Sequence, residues 1–518
     1  MLVIPEQKVL VMQLCTARVT EILSVIPHAK AFLAQGKQLV AVPHGLEEVQ
    51  ILRNIGYAKA PVPILEYYKW PGYVTPMEHQ RVTAAFLVAN NRALCLNAPG
   101  TGKTLSSLWA ADYLLSEALV KRVLIVAPLS TLKPVWAREI AHHLCHRRFE
   151  VVVGDRKRKK MRATNPDVEF VIVNHDGFTA APEWYADCDL VIYDEATAVK
   201  TPSSNRYKRF AKFISERAPR LWLLTGTPIT QTPMDAWTLA KLVRSSAVPH
   251  SFTQFKNQVM RQVTPFKWVP RPEALDICQQ VLQPSIRYSL EECKGLPDTL
   301  FIDRECELTP DQQKAFQELR EEATLVAAGG VISAANAAVL YQKLLQLCCG
   351  VVYAEDGAQV EFDDTSRLDL LKDTLEEISD KCIIFVPLRS VQDRLESKLR
   401  AIGYTVDSVH GGVSKTARDN IFQAFQDKQD PQILIAHPKV AAYGLTLTRA
   451  KHIIWYAPIH SLEMYEQANA RIKRISTEGK TTIWHITASA FEREMFKRLV
   501  AKRQVLSDFL TMIAGVNE

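Results

Sequence analysis

The chain has 518 residues, which exceeds what one hydrophobic core supports and predicts at least two large domains. Hydrophobic residues make up 47% and charged residues 23% of it, a balance that excludes a disordered or low-complexity protein. The net charge of +7 suits an anionic partner. No apolar stretch runs uninterrupted for about 20 residues, so no membrane span is expected.

The start of the chain and its cysteines both bear on the compartment. Glu6, Lys8 and Arg18 interrupt the apolar beginning of the chain, so we expect no signal peptide. The ten cysteines are scattered, which favours reduced thiols and a cytoplasmic location. The His and Cys residues within 142–146 lack a second ligand pair at zinc-finger spacing, so no metal site is predicted there.

The first half of the chain predicts a small domain followed by a large one. Residues 1–70 carry mixed strand and helix signals and lead into a Pro-Gly turn, which predicts a small accessory domain. In residues 71–245, short apolar runs precede turn-rich segments, and 105–116 has the pattern of an amphipathic helix. Continuous hydrophobicity is typical of parallel strands that helices cover on both faces. The predicted strands are 93–96, 123–126, 170–173, 190–193 and 221–224.

The same pattern returns in the second half. Residues 246–365 are irregular and then helical, and they are predicted to be a linker with a helical insertion. Residues 366–490 are predicted to form a second large domain, and 491–518 a helix that braces it. Its predicted strands are 382–385, 432–435, 452–455 and 482–486. The expected fold class is therefore α/β, with two parallel sheets flanked by helices.

The string APGTGKT at 98–104 follows a predicted strand and precedes a predicted helix, which is the context of a nucleotide phosphate loop. Lys103 would contact the β and γ phosphates of ATP, and Thr104 would hold Mg²⁺. The strict pattern has glycine where this chain has Asn97, a departure common in helicase loops. The residues predicted to hold ATP here are Gly100, Thr101, Gly102, Lys103 and Thr104.

An acidic pair, Asp194 and Glu195, directly follows the predicted strand 190–193. Both carboxylates are thereby delivered to the carboxyl end of a strand, the edge where the phosphate loop also lies. Asp194 would bind Mg²⁺ through water, and Glu195 would orient or deprotonate the attacking water.

Far downstream, Gln467, Arg471 and Arg474 lie at spacings of four and three, which predicts one helical face. Arginine carries a permanent charge on a planar fork that fits phosphate oxygens. The two arginines are therefore predicted to reach an ATP held between the two large domains and to take part in catalysis.

These motifs, in this order, resemble the Swi/Snf-type ATPases of helicase superfamily two, over about residues 74–503. The resemblance implies a RecA-like fold for both large domains. It also implies that Gln80 reads adenine and that Gly444 and Gln467 contact the nucleotide. The implied catalytic residues are Lys103, Asp194, Glu195, Arg471 and Arg474.

The resemblance further implies nucleic-acid contacts. Ser130 and Thr131, with Trp136 nearby, match the segment that touches DNA, and Thr446 matches a second such segment. Thr225 and Thr227 match the motif that couples hydrolysis to DNA. The basic run at 156–160 is predicted to lie in a loop, where it either grips phosphates or is simply solvated. Its candidate DNA-binding residues are Lys157 and Arg158.

The resulting expectation is a monomeric, ATP-dependent DNA translocase that anneals strands, remodels forks or junctions, or displaces bound protein. Thr446 is more similar to the annealing-helicase branch than to chromatin remodellers, and the compact chain resembles bacterial and phage members. A strand-separating helicase is the alternative within the class. A nucleotide-gated clamp is the alternative of another class. Residues 1–70 are expected to recognise the substrate or a protein partner.

Overall fold

The computed structural model describes residues 1–34, 36–229, 232–264, 267–289, 292–293, 299–328, 334–353, 359–441, 447–472 and 481–514. Most of the chain falls into two compact units, Met1–Ser289 and Leu290–Asp508. Among the described residues, no helix has both the length and the apolar character needed to cross a bilayer.

The first unit begins with a small antiparallel sheet. Its elements are β1 (Leu2–Ile4), β2 (Val9–Gln13), α1 (Thr16–Val25), β3 (Lys30–Ala34), β4 (Lys37–Pro43) and α2 (Leu46–Asn54). The strands pair in the order β1-β2-β4-β3. Alternate residues of β2 and β4, such as Leu10 and Val42, are buried in one cluster with Ile22 of α1 and Leu52 of α2. The two helices therefore cover one face of this sheet.

The rest of the first unit is built on a seven-stranded parallel sheet in the order β13-β5-β10-β9-β6-β8-β7. Its elements, together with the hairpin β11-β12, are α3 (Ile64–Tyr67), α4 (Glu78–Ala89), β5 (Arg92–Cys95), α5 (Lys103–Ser116), β6 (Val123–Ala127), α6 (Arg138–His143), β7 (Phe149–Val151), α7 (Arg156–Ala163), β8 (Phe170–Asn174), α8 (His175–Ala180), β9 (Leu190–Asp194), α9 (Asn205–Arg217), β10 (Arg220–Leu224), α10 (Ala236–Val243), α11 (Phe252–Val259), β11 (Met260–Thr264), β12 (Lys267–Pro270), α12 (Ala274–Val281) and β13 (Ser285–Ile286).

The second unit contains a six-stranded parallel sheet in the order β14-β21-β20-β17-β19-β18. Its elements are β14 (Thr299–Glu305), α13 (Pro310–Ala328), α14 (Ala334–Cys348), β15 (Val351–Tyr353), β16 (Gln359–Glu361), α15 (Thr365–Glu376), β17 (Cys382–Phe385), α16 (Arg389–Ala401), β18 (Val406–Val409), α17 (Lys415–Asp427), β19 (Ile433–Ala436), α18 (Pro438–Ala441), β20 (His452–Trp455), α19 (Leu462–Asn469), β21 (Thr481–Thr487) and α20 (Ala490–Ala514).

Two parallel sheets flanked by helices confirm the predicted fold class. The nine predicted strands are all present, and the inner ones are buried almost throughout, as strands covered on both faces must be. The segment 246–365, predicted as a linker and helical insertion, also contributes β13 and β14 to the edges of the two sheets. Both strands lack the long buried apolar run of the inner strands: β13 has two residues, and β14 has only Leu300, Phe301 and Ile302 in a largely exposed strand.

Candidate functional site

The sheet order of the first unit places β5, β10 and β9 side by side, so the loops that follow these strands are neighbours. The phosphate loop, residues 96–102, lies between β5 and α5. Gly226, which follows β10, packs directly on it: a Cβ at Gly226 would lie 2.8 Å from Cδ of Pro99. Two hydrogen bonds hold the segment 225–227 in place. The Thr225 N–H donates to the Cys95 carbonyl, and the Thr227 N–H donates to Oγ1 of Thr225.

The phosphate loop turns through two glycines with positive φ, 90° at Gly100 and 84° at Gly102. These values lie in the region that favours glycine. A Cβ at Gly102 would also collide with Nε2 of Gln80. Thr101 closes the turn, because its hydroxyl donates a 2.8 Å hydrogen bond to the Ala98 carbonyl. Helix α5 begins immediately afterwards, so its amino-terminal N–H groups and positive dipole end adjoin the loop.

Lys103 connects the loop to the acidic pair. Its Nζ donates a 2.7 Å hydrogen bond to the Asn97 carbonyl. Burial lowers the pKa of Lys103, while the negative charges of Glu195 and Asp194 act in the opposite direction. The structure thus brings together the lysine and the two carboxylates that the sequence predicted as one site.

Gln80 lies against the loop, on helix α4. Its side chain is 6% exposed, and its Oε1 accepts a 3.0 Å hydrogen bond from the Met77 N–H as part of a capping box. Its Nε2 donates to the Thr101 carbonyl at 3.4 Å, and Nε2 of His79 donates to the same oxygen at 2.9 Å. The predicted adenine-reading residue is therefore placed beside the phosphate loop by bonds to the loop itself.

Asp194 ends β9 and is held by three groups. Its Oδ2 accepts a 3.0 Å hydrogen bond from Nε1 of Trp136, and its Oδ1 accepts one of 3.1 Å from the Glu195 N–H. Its carbonyl oxygen accepts a 2.9 Å bond from Nε2 of His175, whose ring stacks on Tyr193. Glu195 has φ 51°, a left-handed conformation that is rare outside glycine and clusters at functional sites.

Trp136 has a different place from the one that the resemblance suggested. It was matched to a segment that touches DNA, but its side chain is fully buried and donates to Asp194. Its indole therefore contacts a carboxylate inside the first unit. A buried tryptophan needs a partner for its N–H, and this partner cannot be read from local sequence because it lies on a strand of distant chain position.

The chemistry of the donors fits Mg²⁺. Asp194 supplies carboxylate oxygens and Thr104, the second residue of α5, supplies a hydroxyl, and both are the hard oxygen ligands that this ion prefers. Asp194 also lies close enough to Lys103 to influence its charge. Thr104 and Asp194 are thus the residues that would hold the ion.

The arginine segment departs from its predicted helix. Helix α19 ends at Asn469, whose Oδ1 accepts a 2.9 Å bond from Nε1 of Trp455, and Arg471 lies in the turn that follows. Gln467 and Arg471 therefore do not share a helical face. Gln467 is 8% exposed and its Nε2 donates to Glu463 at 3.5 Å. The predicted residues Gly444, Thr446 and Arg474 lie outside the described residues.

The candidate DNA-binding residues of the first unit lie on two segments. Ser130 is part-exposed beyond the carboxyl end of β6, whereas Thr131 is 7% exposed and its hydroxyl donates to the Pro128 carbonyl. Lys157 and Arg158 lie on α7, so the predicted loop is a helix. The reason is local: Asp155 caps it by accepting a 2.9 Å bond from the Arg158 N–H. Both basic side chains are exposed.

A strand-end cluster lies in the second unit, where Arg389, His410 and His437 come after the adjacent strands β17, β18 and β19. Arg389 and His410 both lie against Gly412, because a Cβ there would be 3.1 Å from the His410 ring and 3.5 Å from Nη1 of Arg389. Burial lowers the pKa of His437, with smaller contributions from Lys439 and His410. Sequence reasoning missed Arg389 and His437, and the available signal for His437 was its position directly after the apolar strand β19.

Comparisons with known protein families match two domains of this chain. The model of the SNF2-related domain matches residues 79–350, and that of the helicase conserved C-terminal domain matches residues 366–476. A solved structure titled Sulfolobus solfataricus SWI2/SNF2 ATPase core in complex with dsDNA is similar, with a TM-score of 0.41 and 19% identity, over 86% of this chain and 96% of that one.

Similar curated proteins include two uncharacterized ATP-dependent helicases, from Mycoplasma pneumoniae (25% identical, 63% of this chain) and Mycoplasma genitalium (23%, 81%). The chain spans only 31% and 40% of their lengths. A protein called p41 from Acyrthosiphon pisum secondary endosymbiont phage 1 is 25% identical over 77% of this chain and 88% of its own. Because the SNF2-related model covers more than half of it, the chain belongs to the SNF2-related domain family.

Proposed function

We propose that the chain is a DNA-dependent ATPase that uses ATP hydrolysis to translocate along duplex or branched DNA. Its work would be to anneal strands, to remodel forks or junctions, or to displace bound protein. The observation that carries this proposal is the meeting of three loops at neighbouring strand ends. Lys103, Gly226 and Asp194 lie in or beside these loops, and the lysine proposed to bind phosphate lies near the carboxylates of Asp194 and Glu195.

The residues divide the chemistry among them. Lys103 and the N–H groups of the phosphate loop bind the phosphates of ATP. Thr104 and Asp194 hold Mg²⁺, which when bound neutralises phosphate charge. Glu195, in its strained backbone conformation, orients the attacking water. Arg471 and Arg474 contribute positive charge to phosphoryl transfer, and Gln80, Gly444 and Gln467 contact the nucleotide.

DNA binding is proposed to rest on phosphate contacts. The exposed basic side chains of α7 support this, as does Arg389, the exposed arginine of the strand-end cluster in the second unit. Ser130, Thr131 and Thr446 are proposed to add backbone contacts, and Thr225 and Thr227 to couple them to hydrolysis. Such binding is largely independent of base sequence and weakens with salt. We further propose a cytoplasmic monomer in bacteria or phage-infected cells, with residues 1–70 recognising the substrate or a protein partner.

The test is the steady-state ATPase rate with single-stranded, duplex, forked and junction DNA, with RNA as a control. We expect stimulation by duplex or branched DNA, and its loss in Lys103→Ala and Glu195→Gln. Lys212→Ala, an exposed lysine of α9, is the matched control and retains stimulation. Unchanged turnover in either site variant overturns the site assignment.

The same panel separates the competing functions. If the protein separates the strands of a forked duplex at a rate that matches its ATPase rate, the proposed annealing activity is wrong and the protein is a strand-separating helicase. ATP binding without stimulation by any nucleic acid would overturn the translocase and leave a nucleotide-gated clamp.

A further inference from the structure

The phosphate loop of this chain contains a side chain where the strict pattern has none. Asn97 is 1% exposed and lies two residues after the end of β5, the strand that enters the loop. Its Nδ2 donates a 2.9 Å hydrogen bond to Oγ1 of Thr83 on α4. Its Oδ1 accepts a 2.9 Å bond from the Tyr288 N–H. A glycine at this position could make neither bond.

The backbone of Asn97 is engaged as well. Its carbonyl accepts the 2.7 Å bond from Nζ of Lys103, the group proposed to bind phosphate. Under the proposed function, a bound nucleotide would compete with the Asn97 carbonyl for the Lys103 ammonium. A shift of this ammonium would then act on Asn97, whose side chain bonds to Tyr288.

Tyr288 lies where the first unit ends, one residue before Ser289. It follows β13, which pairs with β5, and its carbonyl accepts a 2.8 Å bond from the Ala98 N–H. Its ring lies 5.7 Å from that of His79, on the helix that carries Gln80. Tyr288 therefore contacts the phosphate loop through a backbone bond at Ala98 and through the side chain of Asn97, and its ring lies near His79.

We infer that Asn97 is a positioning residue that links nucleotide binding at Lys103 to the backbone of Tyr288, the segment by which the chain leaves the first unit. The inference rests on the proposed ATP-binding function and deepens it. The Asn97 amide is the element that transmits the change, because its side chain joins the residue that accepts from Lys103 to the Tyr288 N–H.

The test is amide hydrogen exchange at Tyr288 in the full chain, with and without a non-hydrolysable ATP analogue and Mg²⁺. Asn97→Gly removes the amide but keeps the carbonyl that accepts from Lys103. In the wild type we expect the analogue to change the exchange rate at Tyr288. In Asn97→Gly we expect exchange about tenfold faster without nucleotide, no response to the analogue, and an analogue Kd within about threefold of the wild type.

Two further variants keep the result interpretable if Asn97→Gly folds poorly. Asn97→Asp retains an oxygen that accepts from the Tyr288 N–H, so it restores slow exchange there. Thr83→Val removes the partner of Nδ2, together with the hydrogen bond from the Thr83 hydroxyl to the His79 carbonyl, and leaves the Tyr288 bond in place. Equal exchange at Tyr288 in Asn97→Gly and the wild type overturns the inference, as does a retained nucleotide response. Failure of the wild type to bind the analogue, measured separately, overturns the proposed function instead.

Discussion

Nε1 of Trp136 donates a 3.0 Å hydrogen bond to Oδ2 of Asp194, the carboxylate proposed to hold Mg²⁺. The tryptophan is fully buried, so the donor of this bond is shielded from solvent, whereas Asp194 is part-exposed. It ties the segment after β6 to the strand end of β9.

We expect Trp136→Phe to weaken the Mg²⁺ dependence of ATPase activity. The variant keeps an aromatic ring but removes the indole donor to Oδ2, so the Mg²⁺ concentration for half-maximal activity rises by about 3- to 10-fold, which corresponds to the net free energy of one ordinary hydrogen bond. A Mg²⁺ titration of turnover at saturating DNA measures it. Trp237→Phe is the control, because its indole donates to the Pro249 carbonyl. An equal shift in both variants would contradict a specific role for Trp136.

His175 gives the first unit a pH dependence. Its side chain is 8% exposed, and burial lowers its pKa to about 4 from an ordinary value near 6.5. The folded protein keeps this imidazole neutral, whereas the unfolded chain takes up a proton below about pH 6.5. The stability that His175 contributes is therefore complete above pH 6.5 and is lost as the pH falls towards 4.

We expect His175→Gln to flatten the decline in the free energy of unfolding between pH 6.5 and 4. The loss in the wild type that is due to this residue is at most about 3 kcal/mol. Urea unfolding of both proteins across this range measures the difference. The contributions of the other histidines to the free energy of unfolding are the same in both proteins and cancel in this difference. Parallel curves would mean that His175 titrates normally in the folded state.

Arg367 and Glu492 form a buried ion pair in the second unit, with side chains 2% and 0% exposed and a 2.7 Å contact. Arg367 also donates to the carbonyls of Cys348, Tyr456 and Ile486. We expect Glu492→Gln to lower the free energy of unfolding by about 3–5 kcal/mol, because it leaves a buried charge without its partner. Urea unfolding measures this change.

The control lies on the same helix. Arg498 and Glu494 of α20 form an exposed pair at 2.9 Å, with side chains 74% and 56% exposed. Glu494→Gln should change the free energy of unfolding by less than about 1 kcal/mol, since surface pairs contribute little. Equal changes in the free energy of unfolding for Glu494→Gln and Glu492→Gln would contradict the claim that burial makes the Arg367–Glu492 pair the more important one.

Helix α7 should set part of the salt dependence of DNA binding. Replacing Lys157, Arg158 and Lys160 with glutamine removes three exposed charges. If each neutralises one phosphate, the slope of log K against log salt falls in magnitude by about 2 to 3. Fluorescence anisotropy with duplex DNA over a salt series measures the slope. The same triple substitution on α9, at Lys208, Lys212 and Arg217, is the control and should leave it unchanged.

Local sequence determined the inner strands and the phosphate loop. The runs at 123–126 and 190–193 are continuous apolar segments, and a strand buried on both faces needs no other signal. The glycines at 100 and 102 mark a turn with positive φ, because few other residues adopt it. The acidic pair after β9 was predicted for the same reason, as it directly follows a clear strand.

Where elements end was harder to predict. The spacing of Gln467 and Arg471 fits a helix, but the helix ends at Asn469. The side-chain oxygen of Asn469 accepts a hydrogen bond from Nε1 of Trp455, a residue on strand β20. The basic run at 156–160 has no apolar periodicity, so its helix was missed, although Asp155 is an ordinary capping residue.

The sequence by itself predicted which residues would carry the chemistry, because Lys103, Asp194 and Glu195 stand in short motifs with local causes. Only the tertiary structure decided what holds them. Trp136 reaches Asp194 across 58 residues of chain, and Asn97 reaches Tyr288 across 191. Contacts at such separations depend on the order of strands in the sheet, which no local pattern encodes.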